Sequence, residues 1–125
     1  MEFIETNKAA KPLGHYSQAA CQSGFCFVSG ILPVAREDPM IRSLSFEEQS
    51  DLVLAHAGAI LEAAGLTAQH VVSAHVYVTN VEHWDLFNTK YAVFMGSHKP
   101  ARAVVPVPEL HHGFDVELEL IAHMS

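Results

Sequence analysis

Arg102 and two carboxylates, Glu117 and Glu119, are the residues near the carboxyl end of the chain that could do acid–base chemistry together. Arg102 is one of only three arginines, and it precedes a valine-rich segment in which a charged side chain has no packing role. A guanidinium group binds a carboxylate through two parallel hydrogen bonds. A glutamate beside the bound carboxylate could donate a proton or activate water. These residue types therefore predict a general acid–base site for a small carboxylate substrate.

Two extended segments, residues 102–107 and 114–122, contain these side chains and are separated by a loop rich in proline and glycine. This pattern predicts a β-hairpin with a wide loop. If Arg102 lies opposite Glu117 in the hairpin, both side chains leave the same face of the sheet with adjacent Cβ atoms. A register slip of two residues places Arg102 opposite Glu119 instead, so both carboxylates are candidates. The same pairing is also typical of a structural ion pair at a surface or an interface.

Periodicity and end signals predict the elements that must position these residues. The pattern indicates a strand at 25–29, a loop at 34–44, a helix from the capping box at 45–48 to Gly65, a strand at 72–78 and a helix from Asn80 to Gly96. The predicted apolar stripes are Leu52, Ala55, Ala59, Ile60 and Ala63 on the first helix and Trp84, Phe87, Tyr91, Phe94 and Met95 on the second, and Val72 is predicted on the apolar side of its strand. The order of elements predicts one α+β domain over residues 1–125, with two helices on one face of a mixed sheet.

Composition limits the partners that the chain can have. Only 17% of its 125 residues are charged, against roughly a quarter in an ordinary globular chain, so we expect another subunit to cover the open sheet face. Seven Lys and Arg against fourteen Asp and Glu give a net charge of -7 without a basic cluster, which argues against nucleic acid. No apolar run is long enough for a bilayer, and the acidic start is unlike a signal peptide. We therefore expect a soluble, cytoplasmic protein with no membrane partner.

The cysteines and histidines suggest no metal site. Cys21 and Cys26 have neither the redox nor the zinc spacing, and they are predicted to be reduced, buried side chains. None of the nine histidines pairs at helical i, i+4 spacing with an acidic partner. His56 and His75 are interpreted as core or interface histidines.

Six short segments resemble, in order, the motifs of one known family. They are GHYSQA at 14–19 against G-P-Y-S-Q-A, VSGILP at 28–33 against V-S-G-x-I-P, EAAG at 62–65 at the end of the first helix, Asn88 and Tyr91 against N-x-x-Y, PAR at 100–102, and VELELIA at 116–122 against V-E-I-E-x-I-A. The family is RidA, also called YjgF or reactive intermediate deaminase A. The resemblance runs from about residue 10 to residue 122.

The resemblance implies a chorismate-mutase-like fold and a homotrimer, in which three sheets line a central barrel and active sites lie in clefts between subunits. It implies hydrolysis of enamines and imines such as 2-aminoacrylate to 2-oxo acids and ammonia, without metal or cofactor. Arg102 matches the arginine that binds the substrate carboxylate, and Glu117, rather than Glu119, matches the glutamate that handles the proton and water. Tyr16 is carried over as a catalytic residue, and the substrate cleft is lined by Gly30, Ile31, Asn88 and Val104.

Three positions depart from the family pattern: His15 stands where the family has proline, Ile31 where it often has glutamine, and Val104 where it often has cysteine. These changes predict a more apolar cleft and allow substrates with more apolar side chains. The alternative function is a binding or regulatory protein for small 2-oxo acids that performs no turnover. A ribonuclease or translation inhibitor, as some relatives are labelled, is disfavoured by the acidic charge balance.

Overall fold

Six β-strands and two α-helices form the fold, which is described by a computed structural model of all residues from Met1 to Ser125. The elements are β1 (Glu2–Ile4), β2 (Ala19–Gln22), β3 (Phe25–Ile31), α1 (Phe46–Ala63), β4 (Val71–Val78), α2 (Trp84–Met95), β5 (Ala101–Pro106) and β6 (Val116–His123). The strands form one sheet in the order β1-β2-β3-β6-β4-β5. Only the β4–β5 pair is parallel. The predicted α+β class with a mixed, mostly antiparallel sheet is confirmed.

The predicted hairpin between the last two strands is wrong. β4 lies between β5 and β6: it pairs in parallel with β5, so that Ala74 is opposite Arg102, and antiparallel with β6, so that Tyr77 is opposite Glu117. β6 has a hydrogen-bonded neighbour on each side. β5 ends at Pro106 and is an edge strand, where a residue without an N–H is tolerated. A hairpin of β5 and β6 and the observed sheet, with β4 between them, both place two extended segments around a Pro- and Gly-containing loop. The local sequence pattern therefore does not distinguish the two arrangements.

The first two strands were not predicted from the sequence because they have only three and four residues, too few to show a period. β2 continues into β3 through a two-residue turn in which Ser23 and Gly24 have φ values of 55° and 82°. Two positive φ values are the geometry of a type I′ hairpin turn, which matches the twist of the flanking strands.

Cys21 and Cys26 lie directly opposite each other in the β2–β3 pair. Both are buried, as expected, but their sulfur atoms are joined in a disulfide. The expectation of two reduced thiols is therefore wrong. The antiparallel register brings the two Cα atoms to 4.1 Å, and the spacing of the cysteines along the chain does not reveal this pairing.

The helices cover one face of the sheet, as predicted. α1 begins with the predicted capping box, in which the Ser45 hydroxyl accepts from the Glu48 N–H at 3.1 Å and the Glu48 carboxylate accepts from the Ser45 N–H at 2.9 Å. Of the predicted stripe of α1, Ile60 is buried and Ala59 packs against the core, whereas Leu52, Ala55 and Ala63 do not belong to it. The buried apolar face is Val53, Leu54, Ala57, Ile60 and Leu61, because the stripe that carries most of the large apolar side chains faces the sheet. On α2, the predicted stripe is confirmed: Phe87, Tyr91 and Met95 are buried, and Trp84 and Phe94 pack against the core.

The core lies between the helices and the inward side chains of β4 and β6, which are Ala74, Val76, Val78, Val116, Leu118, Leu120 and Ala122. Val72 is exposed, contrary to the prediction, because the register of β4 shifts between Val71 and Ser73. The opposite side of the sheet, which we call the open face, carries Phe25, Phe27, His75, Tyr77, Glu117, Glu119, Ile121 and His123. Neither helix has the length and apolar character that crossing a membrane requires.

Candidate active site

Arg102 lies on β5 with its side chain on the helix-covered side of the sheet, under the first two turns of α2. Its guanidinium carbon lies 4.5 Å from the ring centre of Trp84 and 4.9 Å from that of Tyr91. Its Nη1 donates a hydrogen bond of 2.9 Å to Oδ1 of Asn88. Trp84, Asn88 and Tyr91 follow one another at helical spacings of four and three residues, so one face of α2 fixes the guanidinium.

The Arg102 guanidinium is nevertheless available to a ligand. A guanidinium group has five N–H donors, and only the bond to Asn88 uses one of them within the chain. Arg102 forms no ion pair and is exposed. It borders a surface hollow of about 420 Å³ together with Asn88, Tyr91 and Lys99. A fixed cation with free, coplanar donors is suited to bidentate recognition of a carboxylate.

Glu117 lies on the open face, and its carboxylate rests against the backbone of Gly30 on the neighbouring strand. A Cβ atom placed on Gly30 would lie 2.5 Å from Oε2 of Glu117, so only glycine leaves room for this side chain. Burial raises the pKa of Glu117, and the negative charge of Glu119 raises it further, while His111 lowers it. No hydrogen bond within the chain engages the Glu117 carboxylate. The group is therefore placed to exchange a proton with a ligand.

Tyr16, Gly30 and Ile31 lie together, and of the three Gly30 contacts the Glu117 carboxylate. They line a cavity of about 40 Å³ whose other walls include His56 and Ile60. Tyr16 is half-exposed, and its hydroxyl accepts a hydrogen bond of 3.3 Å from the Leu13 N–H. The side chain of Ile31 is buried in the core, so Ile31 forms part of the inner wall of this cavity. The loop before β2 and the end of β3 thus bring one group of predicted residues together.

Val104 lies two residues after Arg102 on the same strand and on the same side of the sheet. It packs against the core opposite Val76. It is not among the residues that border the hollow beside Arg102. The structure therefore places Val104 in the packing of the core rather than next to a ligand bound in that hollow.

The predicted residues form two groups that do not meet within one chain. Arg102 and Asn88 form the first group, which we call the arginine group, and Glu117 and Gly30 form the second, which we call the glutamate group. Tyr16 is joined to the second group through the cavity that it lines with Gly30. The Cα atoms of Arg102 and Glu117 are offset by two strand spacings across the sheet and by three residues along the strands, which together give a distance of roughly 14 Å. Their side chains leave opposite faces of the sheet. The contact expected from a hairpin is therefore absent from the single chain.

Sequence reasoning missed the partners of both groups. Trp84 and Tyr91 were assigned to the apolar stripe of α2, and Tyr91 also to the N-x-x-Y motif, but neither was given a place beside Arg102, although their spacing from Asn88 places all three on one face of α2. On the open face, the Tyr77 hydroxyl donates a 2.6 Å hydrogen bond to Oε1 of Glu119, and His75 Nδ1 lies 3.7 Å from the same oxygen. The polar residues that alternate along β4 were the available signal for this second cluster.

Comparison with known proteins relates this arrangement to a family. The family model described as Endoribonuclease L-PSP matches residues 6–124. A RutC family protein of Pyrococcus abyssi is 38% identical over 122 residues, which cover 98% of this chain and 96% of that protein. The chloroplastic Reactive Intermediate Deaminase A of Arabidopsis thaliana is 33% identical over 121 residues, which cover 97% of this chain and 65% of that protein.

The fold gives the same result. The crystal structure of Escherichia coli TdcF with bound serine superposes on this chain with a TM-score of 0.93 and 30% identity, and the match covers 100% of both chains. The family match over nearly the whole chain agrees with the six motifs in the sequence. The chain therefore belongs to the endoribonuclease L-PSP family, the family of RidA and YjgF.

Proposed function

We propose that this protein is a deaminase that hydrolyses reactive enamines and imines of the 2-aminoacrylate type to 2-oxo acids and ammonia. The observation that carries the proposal is the Arg102 guanidinium, which is fixed by α2 and keeps free donors for a substrate carboxylate. Two relatives support the proposal. One is named Reactive Intermediate Deaminase A, and TdcF was crystallised with serine, a molecule that carries an α-carboxylate.

The active site of this proposal is shared between two copies of the chain. Because the arginine group and the glutamate group lie on opposite sides of one sheet, a small substrate cannot contact both within a single copy. In a homotrimer, the arginine group of one copy would meet the glutamate group of the next, and the three open faces would line a central barrel. The aromatic side chains Phe25 and Phe27, exposed on the open face, would be covered in such an assembly.

The reaction needs one group that both gives and takes protons. Protonated Glu117 gives its proton to the β-carbon of the enamine, which becomes an iminium ion while Arg102 holds the carboxylate. Water then adds to the iminium carbon as Glu117 takes a water proton, and Glu117 returns that proton to the amine nitrogen. Ammonia leaves as the C–N bond breaks, and the hydroxyl proton of the carbinolamine restores protonated Glu117. The raised pKa of Glu117 favours the protonated form with which this cycle begins.

The test is an assay in which a pyridoxal-phosphate enzyme releases 2-aminoacrylate and the loss of enamine absorbance is followed. We expect the wild type to accelerate the loss, Arg102→Ala to lower kcat/KM by roughly 100-fold because two charge-assisted hydrogen bonds are lost, and Glu117→Ala to abolish turnover. Arg42→Ala is the matched control, since Arg42 also lies over an aromatic ring, that of Phe114, but outside both groups. A wild type that adds nothing over buffer refutes the deaminase. If it still binds a 2-oxo acid in calorimetry, the binding-protein alternative takes its place.

Mixing two inactive variants tests the shared site. When equal amounts of Arg102→Ala and Glu117→Ala chains are unfolded together and refolded, random assembly should restore about a quarter of the wild-type activity. In a quarter of the interfaces, an intact Arg102 of one chain then meets an intact Glu117 of the next. A site contained within one copy would stay inactive in every mixture. Sedimentation should show a species of about 41 kDa, three times the 13.7 kDa of one chain.

The family description also raises ribonuclease activity as a second candidate. The chain has a net charge of -7, and its seven basic residues are scattered along the sequence. Binding to a phosphate backbone requires a basic track that this charge distribution does not supply. We expect no RNA mobility shift at physiological salt, and a clear shift at stoichiometric protein would restore this candidate.

A further inference from the structure

Glu119 belongs to a hydrogen-bonded cluster on the open face that the proposed reaction does not use directly. The Tyr77 hydroxyl donates to its Oε1 at 2.6 Å, a short bond of the kind that a phenol makes to a carboxylate. His75, which lies directly opposite Glu119 across the β4–β6 pair, approaches the same oxygen at 3.7 Å. The hydrogen bond to the carboxylate raises the pKa of Tyr77, so the phenol remains a donor at neutral pH.

This cluster borders Glu117. Glu117 and Glu119 are two residues apart on β6, so both side chains project from the same face. Tyr77 lies directly opposite Glu117 on β4 but donates diagonally to Glu119. The diagonal bond holds the Glu119 carboxylate beside Glu117 and leaves the Glu117 carboxylate without a donor of its own.

We propose that Glu119, held by Tyr77, is a positioning residue that keeps Glu117 protonated for the first step of the reaction. The inference rests on the proposed deaminase function and extends it, because it assigns a role to the neighbouring carboxylate. Burial is the larger cause of the raised pKa of Glu117, and a fixed negative charge beside Glu117 adds to it because it disfavours a second negative charge. Released by Tyr77, the Glu119 carboxylate would turn towards water and its effect would be screened.

The other groups around Glu117 do not supply this effect. On β3, the neighbouring residues Ser29 and Gly30 carry no charge, and across β4 Tyr77 is neutral while His75 faces Glu119. His111, in the turn before β6, acts in the opposite direction and lowers the pKa of Glu117. Asp115, two residues before Glu117, is bound by Gln49 and Thr79.

The direct measurement is the titration of the Glu117 side-chain carboxyl by carbon NMR in the wild type and in Glu119→Gln, which keeps the acceptor for Tyr77 and removes the charge. Removal of a unit charge from a partly exposed side chain two residues away on the same strand face should shift the midpoint downwards by about 0.5 to 1 pH unit. Tyr77→Phe should produce a smaller shift in the same direction. Glu82→Gln is the control for net charge, because Glu82 is exposed and lies on the turn before α2. An unchanged Glu117 midpoint in Glu119→Gln overturns the proposal, whether or not the protein is active.

The kinetic measurement is the pH profile of kcat/KM. Its alkaline limb, where protonated Glu117 is lost, should move to lower pH in Glu119→Gln by the same interval as the NMR midpoint, so that the rate falls by about three- to tenfold on the alkaline side of the limb and changes little on its acid side. If the NMR midpoint moves and the alkaline limb does not, Glu119 has no part in the proton step and the proposal is wrong. If the wild type is inactive at every pH, the deaminase function fails, while the titration still decides whether Glu119 controls Glu117.

Discussion

Replacing Gly30 with alanine should displace the Glu117 carboxylate without unfolding the protein. The new Cβ would lie 2.5 Å from Oε2 and 3.2 Å from Cδ of Glu117, whereas ordinary contact begins at 3.4 Å, so the carboxylate must move by about 0.9 Å. Gly30 does not have a positive φ, and its backbone therefore accepts alanine. Because the atom in the way is the end of a flexible side chain, the free energy of unfolding should change by less than about 1 kcal/mol.

The displacement should appear in kcat rather than in KM. A catalytic group misplaced by about 1 Å loses on the order of 100-fold in rate. Arg102 is untouched, so binding of the substrate carboxylate should be retained and KM should change by less than about threefold. The measurement is the enamine-loss assay over a range of substrate release rates, together with urea unfolding of each variant.

Two companion variants give the result its meaning. Gly58→Ala is the matched control, since Gly58 lies within α1 and its new Cβ would meet only the Phe94 ring, at 3.6 Å. This variant should keep full activity, and its free energy of unfolding should rise by about 0.5 to 1 kcal/mol. In a Glu117→Ala background, Gly30→Ala should no longer lower the free energy of unfolding, because no carboxylate remains to be displaced. Wild-type kcat in Gly30→Ala would show that the position of Glu117 against Gly30 does not matter. Global unfolding would show that the backbone, rather than the carboxylate, takes up the clash.

Three further predictions concern stability. The pKa of Glu117 is raised by burial and by Glu119, so the stabilising contribution of Glu117 is present at low pH and lost as the pH rises through its folded-state pKa. Glu117→Gln should therefore raise Tm at pH 8 and not at pH 4, and an equal gain in Tm at both pH values would contradict this reasoning. Burial lowers the pKa of His56 below its usual 6.5 while Nε2 donates to the Val34 carbonyl at 2.7 Å, so the free energy of unfolding decreases as the pH falls from 7 towards 5. His56→Gln should reduce this decrease in urea unfolding, and an identical decrease in the variant would show that His56 does not cause it. The buried Tyr91 hydroxyl has no hydrogen-bond partner, so Tyr91→Phe should raise the free energy of unfolding by about 1 kcal/mol, whereas a decrease would show that the hydroxyl is bonded.

Local interactions explain which elements could be predicted. The capping box at Ser45 and Glu48 joins groups three residues apart, and the α2 stripe repeats within two turns, so both are visible in a short window of sequence. The buried face of α1 was misjudged because its alanines fit a helical period as well as its larger side chains do. Only the sheet determines which of two overlapping stripes is buried.

The candidate site shows the same division. Arg102 and Glu117 were identified from their residue types and motifs, which are properties of the chain itself. Their relation in space was not, because strand pairing connects residues that are distant along the chain. Insertion of β4 between β5 and β6 changed an expected ion pair into two groups on opposite faces.

The sequence by itself therefore determined the family, the start of α1, the glycines that follow both helices, the strands with a clear period and the candidate residues for binding a carboxylate or carrying a proton. It did not determine the start of α2, because Asn80 caps a separate 3-10 turn at Val81–His83 and α2 begins at Trp84. The tertiary structure decided which strands are neighbours, that Cys21 and Cys26 are joined, that Trp84 and Tyr91 hold the guanidinium, and that Glu119 stands fixed beside Glu117. The physical reason is that end signals and periodicity act over a few residues. Register, facing side chains and burial arise only when distant segments pack against each other.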